Sequence, residues 1–315
     1  MRLMERWIWA VVVLVGGGLS TVVRSQDQIE ILRLRPNFYV LAGGGANVGV
    51  QVGEDGVVLV DSGAGASSGG ILAAIQKITP KPIRYIINTN GDPDHVGGNE
   101  ALSKAGQTLL RSGGPLSTPN ASILAAEQVL ARVSAPTGES AALPAAGWPT
   151  ETFGLRTFMY LNDEGIEILH LPAAHSDGDA VVFFRKSDVI VAGDILDMTR
   201  FPVLDVARGG SVQGELDALN RVIDMAIPSV PVVAREGGTI VVPGHGRIGN
   251  YYDVVHYRDM VHIVRDHVAD MKKSGKTLDE VKTAAPAKGY AGRYGSDSGS
   301  WTTNHFIEAI YRSLK

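Results

Sequence analysis

The sequence predicts an α/β protein whose strands and helices fall into two successive halves. Short runs rich in Val, Ile and Leu and bounded by glycine recur in both halves, and they have the length of buried strands. Longer stretches with apolar residues three and four positions apart follow these runs and predict amphipathic helices. A chain of 315 residues with 44% hydrophobic content can bury a large core.

The first half contains four predicted strands and two predicted helices. The strands cover residues 37–43, 47–53, 56–63 and 83–88. A helix is predicted over residues 68–79 and ends before Pro80, because proline cannot continue a helix. A second helix is predicted over residues 99–105, directly after the glycine pair Gly97–Gly98.

The second half repeats this pattern. Its strands are predicted over residues 155–161, 165–171, 179–185, 188–194 and 238–246, with a helix over residues 211–226. Six apolar residues between Val254 and Met271 recur at spacings of three and four, which predicts a long helix with one buried stripe. The pattern Thr277–Glu280 is a capping box and predicts that another helix begins there.

The segment between the two halves, Arg111 to Glu151, differs in composition from the rest. It is rich in Pro, Ser, Ala and Gly around one helical stretch, Ser122–Val133. We predict an insertion over one face of a single domain that spans residues 26–315, because the sequence contains no short repeat and no strong linker.

Residues 1–25 have the layout of a secretory signal. Arg2 and Arg6 precede a long uncharged apolar stretch, and small residues lead to a cleavage position near Ser25. An uncleaved membrane anchor is the alternative, because Trp7–Val23 is at the short end of a membrane-spanning length. In either case we expect the body of the protein to be exported, to the periplasm or out of the cell.

Charge and cysteine content exclude several functions. The formal net charge of −4 provides no basic surface for nucleic acid, so we expect a small-molecule substrate, with membrane contact only if the N-terminal segment is retained. The chain has no cysteine, which excludes a thiolate nucleophile and cysteine ligands. A metal ion would have to be bound by His, Asp, Glu or Asn.

Three of the eight histidines follow predicted strands and lie among small residues: His95 in DPDHVGG, His175 in PAAHSDGD and His245 in VPGHGR. Asp194, in VIVAGDILD, ends another predicted strand. Side chains at strand ends project from one rim of an α/β sheet, so we expect these four to converge. The remaining histidines are expected to be surface or packing residues: His170, His256, His262, His267 and His305.

The stretch Asp92 to His95 places two carboxylates and an imidazole within four residues. Like charges so close together repel, and a divalent cation between them would supply the opposite charge. Together with the three strand-end positions, this stretch predicts a metal site.

The ordered motifs VVLVDSGAG, NTNGDPDHVGGN, AAHSDGDAVVFF, VIVAGDIL and IVVPGHG resemble those of the metallo-β-lactamase superfamily. The resemblance covers nearly all of the chain after residue 25 and implies an αβ/βα four-layer sandwich with one or two metal ions at its rim. It also implies a role for each matching residue. Asp94, His95 and His245 would bind the second metal, His175 would bind the first, Asp194 would bridge the two, and Asp61 would support the ligands from behind.

One motif departs from the family pattern, His-x-His-x-Asp-His, which here reads Asn90-Gly91-Asp92-Pro93-Asp94-His95. Asp92 can bind a cation through oxygen, but the neutral amide of Asn90 is a weak ligand for zinc. We expect one or two zinc ions, and the more anionic ligand set lets Mn or Fe compete. A single-metal enzyme is one outcome of this replacement.

The resemblance and the ligand set together predict an exported metal-dependent hydrolase. A metal-bound hydroxide, oriented by Asp94 and Asp194, would cleave an ester, thioester, lactone or amide-type bond, β-lactams included. The loop after Asp194 would wall the pocket, with Arg200 or Arg208 available for an anionic group. The alternative is a non-catalytic metal- or ligand-binding protein on the same fold.

Overall fold

The structure is a computed structural model that describes residues 29–109, 119–135, 143–230 and 237–314. The signal or anchor predicted for residues 1–25 lies outside these ranges. Within them, none of the helices combines the length and the apolar character that crossing a bilayer requires.

The first sheet has seven strands in sequence order. They are β1 (Glu30–Arg35), β2 (Phe38–Ala42), β3 (Val48–Gly53), β4 (Gly56–Val60), β5 (Ile83–Ile87), β6 (Ser122–Ala126) and β7 (Glu151–Phe153). The first four pair antiparallel, and β4 to β7 run parallel to one another. The parallel half is the part of this sheet that leads to the predicted site.

The second sheet has six strands in the order β13-β12-β11-β10-β9-β8. They are β8 (Arg156–Leu161), β9 (Glu164–His170), β10 (Ala180–Phe184), β11 (Val189–Asp197), β12 (Ile240–His245) and β13 (Gly249–Asn250). Strands β11 and β12 are parallel, and the other pairs are antiparallel. Strand β10 pairs antiparallel with both β9 and β11, so β9 and β11 run in the same direction. Strands β9, β11 and β12 therefore all end at the same rim.

Most helices cover the outer faces of the two sheets, and two short ones pack against the core between the sheets. The helices are α1 (Ser68–Ile78), α2 (Pro93–Val96), α3 (Asn99–Ala105), α4 (Glu127–Ser134), α5 (Val212–Met225), α6 (Tyr251–Lys273), α7 (Leu278–Ala284), α8 (Lys288–Tyr294) and α9 (Thr303–Ser313). Asn250 begins α6 with a capping box, and Thr277 begins α7 with the capping box that the sequence predicts.

The alternation of side chains along β4 shows how the layers are built. Val58 and Val60 point into the core between the two sheets, where they meet residues of the second sheet such as Val182 and Phe184. Their neighbours in β4, Val57 and Leu59, point to the opposite face and pack with α1 and α3. A third core joins the outer face of the second sheet to α5, α6 and α9. The predicted αβ/βα four-layer sandwich is therefore confirmed.

The strand and helix predictions hold in both halves, with one correction in the segment Arg111–Glu151. The stretch Ser122–Val133, predicted as a helix, begins as strand β6, which pairs parallel to β5, and becomes helical only at Glu127. Residues Ile123 to Ala126 are buried, and periodicity does not separate a short buried strand from a buried helix. The described part of this segment thus adds strand β6 to the first sheet, and β7 follows at its end.

A smaller correction concerns Asp194, which was expected to end its strand. Strand β11 continues to Asp197, and its register against β12 shifts on both sides of Gly193. An irregularity of this kind re-aims a side chain within a strand, and here it accompanies the turn of Asp194 toward the rim.

Candidate metal centre

Six of the predicted ligands form two groups at the rim where the strands end. Asp94, His95 and His245 bring one ligand atom each to within 4.8 Å of one another. Asp92, His175 and Asp194 do the same in the second group. The first half of the chain contributes the stretch 92–95, and the second half contributes the other three residues.

The short helix α2 holds the ligands of the stretch Asp92 to His95. It follows β5, Asp92 is the residue before its first turn, and Pro93 occupies that turn, where a missing N–H leaves no hydrogen bond unmade. The backbone N–H of His95 donates to the Asp92 carbonyl at 2.9 Å. This turn directs the side chains of Asp92, Asp94 and His95 toward the rim.

Asp94, His95 and His245 are linked through Asp194. His245 Nε2 lies 3.2 Å from Asp94 Oδ2 and 3.3 Å from Asp194 Oδ1. His95 Nε2 lies 3.1 Å from Asp194 Oδ2. Asp194 thus presents one carboxylate oxygen to each of the two histidines.

A close approach between strands β11 and β12 makes room for Asp194. A Cβ atom added at Gly244 would lie 2.4 Å from Asp194 Oδ1, and real Cβ atoms do not approach so closely. The glycine before His245 in the VPGHG motif is therefore required by the position of the Asp194 carboxylate.

Two buried carboxylates hold two of the histidines on the side of each ring that faces away from the centre. His95 Nδ1 lies 2.8 Å from Asp61 Oδ2, and His175 Nδ1 lies 3.1 Å from Asp179 Oδ1. Both histidines therefore turn Nε2 toward the centre. Asp61 lies where the resemblance implied it, but Asp179 was not among the residues that sequence reasoning selected. Its position four residues after His175, just before β10, was the available signal.

The charges of the centre shift the pKa values of its residues. Burial disfavours the charged form of His95, but the carboxylates of Asp194 and Asp61 outweigh it and raise the pKa of His95 well above its usual range. Burial likewise opposes the charge on His245, and the neighbouring carboxylates of Asp194 and Asp94 raise its pKa to about 9. Without a metal ion, the histidines thus take protons to balance the carboxylates.

Two ligand atoms in the centre have no hydrogen-bond partner among the described residues. They are His95 Nε2 and Asp194 Oδ1, and both are buried; their contacts with Asp194 Oδ2 at 3.1 Å and with His245 Nε2 at 3.3 Å do not have the angles of hydrogen bonds. Unsatisfied buried polar atoms are costly, and a cation between an imidazole nitrogen and a carboxylate oxygen would satisfy both. The residues around Asp194 therefore fit a divalent metal ion.

Asn90 lies beside these groups, but its amide is already used. Its Oδ1 accepts from the backbone N–H of Asp92 at 2.8 Å, and its Nδ2 donates to Asp194 Oδ2 at 3.3 Å. The backbone donor fixes which end of the amide is oxygen. Asn90 thus turns a donor, not a ligand atom, toward the centre.

The other histidines lie where the sequence predicted. His170 is buried and bonds the carbonyls of Gly154 and Asp177, so it is a packing residue. The remaining four are exposed: His256, His262, His267 and His305.

A cavity of about 230 Å³ opens onto both ligand groups. Its wall includes Arg200, Val203, Ser300 and Trp301. The sequence had indicated Arg200, but Ser300 and Trp301 come from a C-terminal loop that carries no motif. Arg208 lies 3.6 Å from Asp92 Oδ1 and also pairs with Asp205.

A family model described as the metallo-beta-lactamase superfamily matches residues 41–245, a range that includes Asp61 and all six residues of the two groups. The chain therefore belongs to the metallo-beta-lactamase superfamily, a superfamily of metallo-hydrolases that generally bind divalent metals. A search of curated proteins returned no match.

Solved structures share the fold at low sequence identity. A metallo-beta-lactamase from Pontibacter korlensis is 17% identical, with a TM-score of 0.56 over 75% of this chain and 99% of that one. The stereoselective inverting sec-alkylsulfatase Pisa1 from Pseudomonas sp. is 15% identical, with a TM-score of 0.61 over 90% of this chain and 50% of that one. At identities this low, the structural similarity establishes a shared fold and nothing further.

Proposed function

We propose that this protein is an exported metal-dependent hydrolase that cleaves an ester, thioester, lactone or amide-type bond, β-lactams included. The observation that carries the proposal is the pair of buried atoms without partners, His95 Nε2 and Asp194 Oδ1, at the centre of six convergent His and Asp side chains. A cavity leads from this centre to solvent.

Asp94, His95, His245 and Asp194 would hold the ion, with zinc expected first and Mn or Fe as competitors. When bound, a divalent ion lowers the pKa of a coordinated water to about 7 and polarises the bond under attack. Asp61 keeps His95 in the tautomer with Nε2 free, because Asp61 Oδ2 accepts a hydrogen bond from Nδ1–H.

Asp94 is the residue best placed to meet the attacking water. Its side chain is 38% exposed, against 12% for Asp194 and 18% for His245, and it lines the cavity. Its carboxylate can accept a hydrogen bond from the attacking water and orient it. Asp194 shares this role from the buried side of the centre.

The cavity wall favours a substrate with both an apolar part and a negative charge. Trp301 and Val203 provide apolar surface that excludes water from one side. Arg200 lines the same wall, and its Nε donates to Asp197 Oδ2 at 2.6 Å, which holds the guanidinium in place. A carboxylate, sulfate or phosphate group of the substrate would be attracted to this guanidinium.

The test is metal analysis and substrate screening of the wild-type protein beside Asp94→Ala, with Asp217→Ala as control. Asp217 is an exposed carboxylate on α5 outside the two ligand groups. We expect bound metal in the wild type and the control, and hydrolysis of a chromogenic ester, thioester, lactone, sulfate ester or cephalosporin that falls at least about 100-fold in Asp94→Ala.

Full activity in Asp94→Ala would contradict the proposed mechanism. A folded wild-type protein that neither contains nor takes up a divalent ion would favour the alternative, a non-catalytic ligand-binding protein on this fold.

A further inference from the structure

Arg132 lies beside the group formed by Asp92, His175 and Asp194, although no sequence motif indicated it. It comes from α4, and its Nη2 contacts Asp92 Oδ1 within hydrogen-bonding distance. Its side chain is only 18% exposed. The ion pair is therefore largely removed from water, where charge pairs interact more strongly than at the surface.

Gly91 provides the space that Arg132 fills. A Cβ atom added at Gly91 would lie 3.0 Å from Arg132 Cδ, 3.6 Å from Nε and 3.7 Å from Nη1. The stem of the arginine thus lies across the one residue between Asn90 and Asp92 that has no side chain. The position of the guanidinium therefore depends on the missing side chain at Gly91 and on the ion pair with Asp92.

The ligand atoms beside Arg132 are already engaged by other groups, so they are poorly placed to bind a second ion. Both oxygens of Asp194 are directed at His95 and His245, at 3.1 and 3.3 Å. Asn90 directs its amide N–H at Asp194 Oδ2. Asp92 has one oxygen engaged by Arg132 and the other 3.4 Å from His175 Nε2.

The charges of the centre balance with a single divalent ion. Three carboxylates face the centre, from Asp92, Asp94 and Asp194. One divalent ion and the Arg132 guanidinium together carry the three opposite charges. Arg200 and Arg208 also lie nearby, but each has a carboxylate of its own, Asp197 and Asp205 respectively.

We propose that the Arg132 guanidinium takes the place of the first metal ion, so that this protein binds one divalent ion, at Asp94, His95, His245 and Asp194. The inference rests on the proposed function, since it concerns the same centre. Arg132 acts here as a positioning residue: it holds Asp92 and repels a second cation from the group that Asp92 forms with His175.

The test is metal stoichiometry in the protein purified from cells that express the full chain. Zinc would be titrated by calorimetry, and bound zinc would be measured by elemental analysis after dialysis. Arg132→Met keeps an unbranched apolar side chain in place of the arginine stem and removes the charge. Arg156→Met is the matched control, because Arg156 pairs with Glu167 between β8 and β9, outside both ligand groups.

We expect one equivalent of zinc in the wild type and in Arg156→Met, and two equivalents in Arg132→Met, the second bound at least tenfold more tightly than any second ion in the wild type. Gly91→Val is an independent route to the same result, because its side chain would displace the arginine without removing it.

Two equivalents in the wild type would overturn the inference and leave the proposed hydrolase intact. One equivalent in both folded variants would also overturn it. If the wild type bound neither zinc nor manganese nor iron, the proposed function would fail together with the inference, and this outcome is distinct from the other two.

Discussion

At the scale of single residues, the centre depends on which nitrogen of each histidine is free. Asp61 and Asp179 occupy Nδ1 of His95 and His175, and this leaves Nε2 of both rings for the centre. Asp61 has a left-handed backbone (φ 64°) at the end of β4 and also accepts from the N–H and hydroxyl of Thr89, at 2.8 and 2.7 Å. The two carboxylate oxygens of Asp61 thus accept three hydrogen bonds, two from Thr89 and one from His95.

Asp61→Asn is expected to weaken metal binding by about 10- to 100-fold while the protein stays folded. Asparagine tolerates the left-handed backbone, but its NH₂ would face a donor where the carboxylate accepts one. A competition titration against a metal-binding dye would measure the change.

The matched control is Asp188→Asn. Asp188 also has a left-handed backbone (φ 53°) and accepts from Thr239, but it lies before β11, at the opposite end of the strand from Asp194. Metal affinity that stayed at the wild-type value in Asp61→Asn would show that Asp61 does not tune His95.

At the scale of elements, α5 contains a buried acid that no motif indicated. Glu215 is fully buried between this helix and the second sheet, and neither carboxylate oxygen has a hydrogen-bond partner among the residues described. Burial first, and then the nearby Asp179, raise the pKa of Glu215 well above its usual range, although His175 opposes them. The folded protein therefore favours the protonated, neutral side chain.

Glu215→Gln is expected to raise the free energy of unfolding more at pH 8 than at pH 5. Because the folded pKa of Glu215 lies above the unfolded value, its contribution to stability is largest below the unfolded pKa and is lost as the pH rises toward the folded pKa. Glutamine is neutral throughout, so it avoids this loss. The gain at pH 8 should exceed that at pH 5 by at least about 1 kcal/mol, since one pKa unit corresponds to about 1.4 kcal/mol.

Urea unfolding at both pH values, at fixed metal loading, would measure the difference. Asp217→Asn is the control, because Asp217 lies on the exposed side of the same helix. An equal effect of Glu215→Gln at the two pH values would mean that Glu215 stays charged in the folded protein.

At the scale of the whole molecule, the centre exists only when both halves of the chain are packed. Strands β4 and β5 of the first sheet lead to Asp61 and the stretch 92–95. Strands β9, β11 and β12 of the second sheet lead to His175, Asp194 and His245. The core between the sheets therefore sets the distance between the two sets of ligands, and metal binding should stabilise the packed state.

The N-terminal segment gives a prediction for the whole chain. We expect the expressed protein to be recovered outside the cytoplasm, and removal of residues 1–25 should leave it in the cytoplasm, because the basic and apolar pattern of a secretory signal would be lost. Cell fractionation would measure this. Mass spectrometry of the N-terminus of the exported protein would distinguish a signal cut near Ser25 from a retained anchor. A cytoplasmic pool of the intact chain would contradict export.

The sequence by itself indicated most of the strands and helices, the four-layer fold through the resemblance of its ordered motifs, and the residues that converge at the rim, but it did not indicate β1, α8 or α9. These are local properties: the period of apolar residues selects strand or helix, and glycine and acidic residues mark the ends of strands. The exception, Ser122–Ala126, is a buried run with no period, so its state depended on the neighbouring strand β5.

Only the tertiary structure decided which side chains complete and restrain the centre. Arg132 reaches Asp92 from a helix 40 residues away, Trp301 arrives from a C-terminal loop, and Glu215 is buried by packing of α5. None of these contacts has a sequence signal, because each depends on how distant elements pack. Asn90 is a further example. Its sequence position suggested a weak metal ligand, but its oxygen accepts from the Asp92 N–H and its NH₂ donates to Asp194, so it presents a donor to the centre.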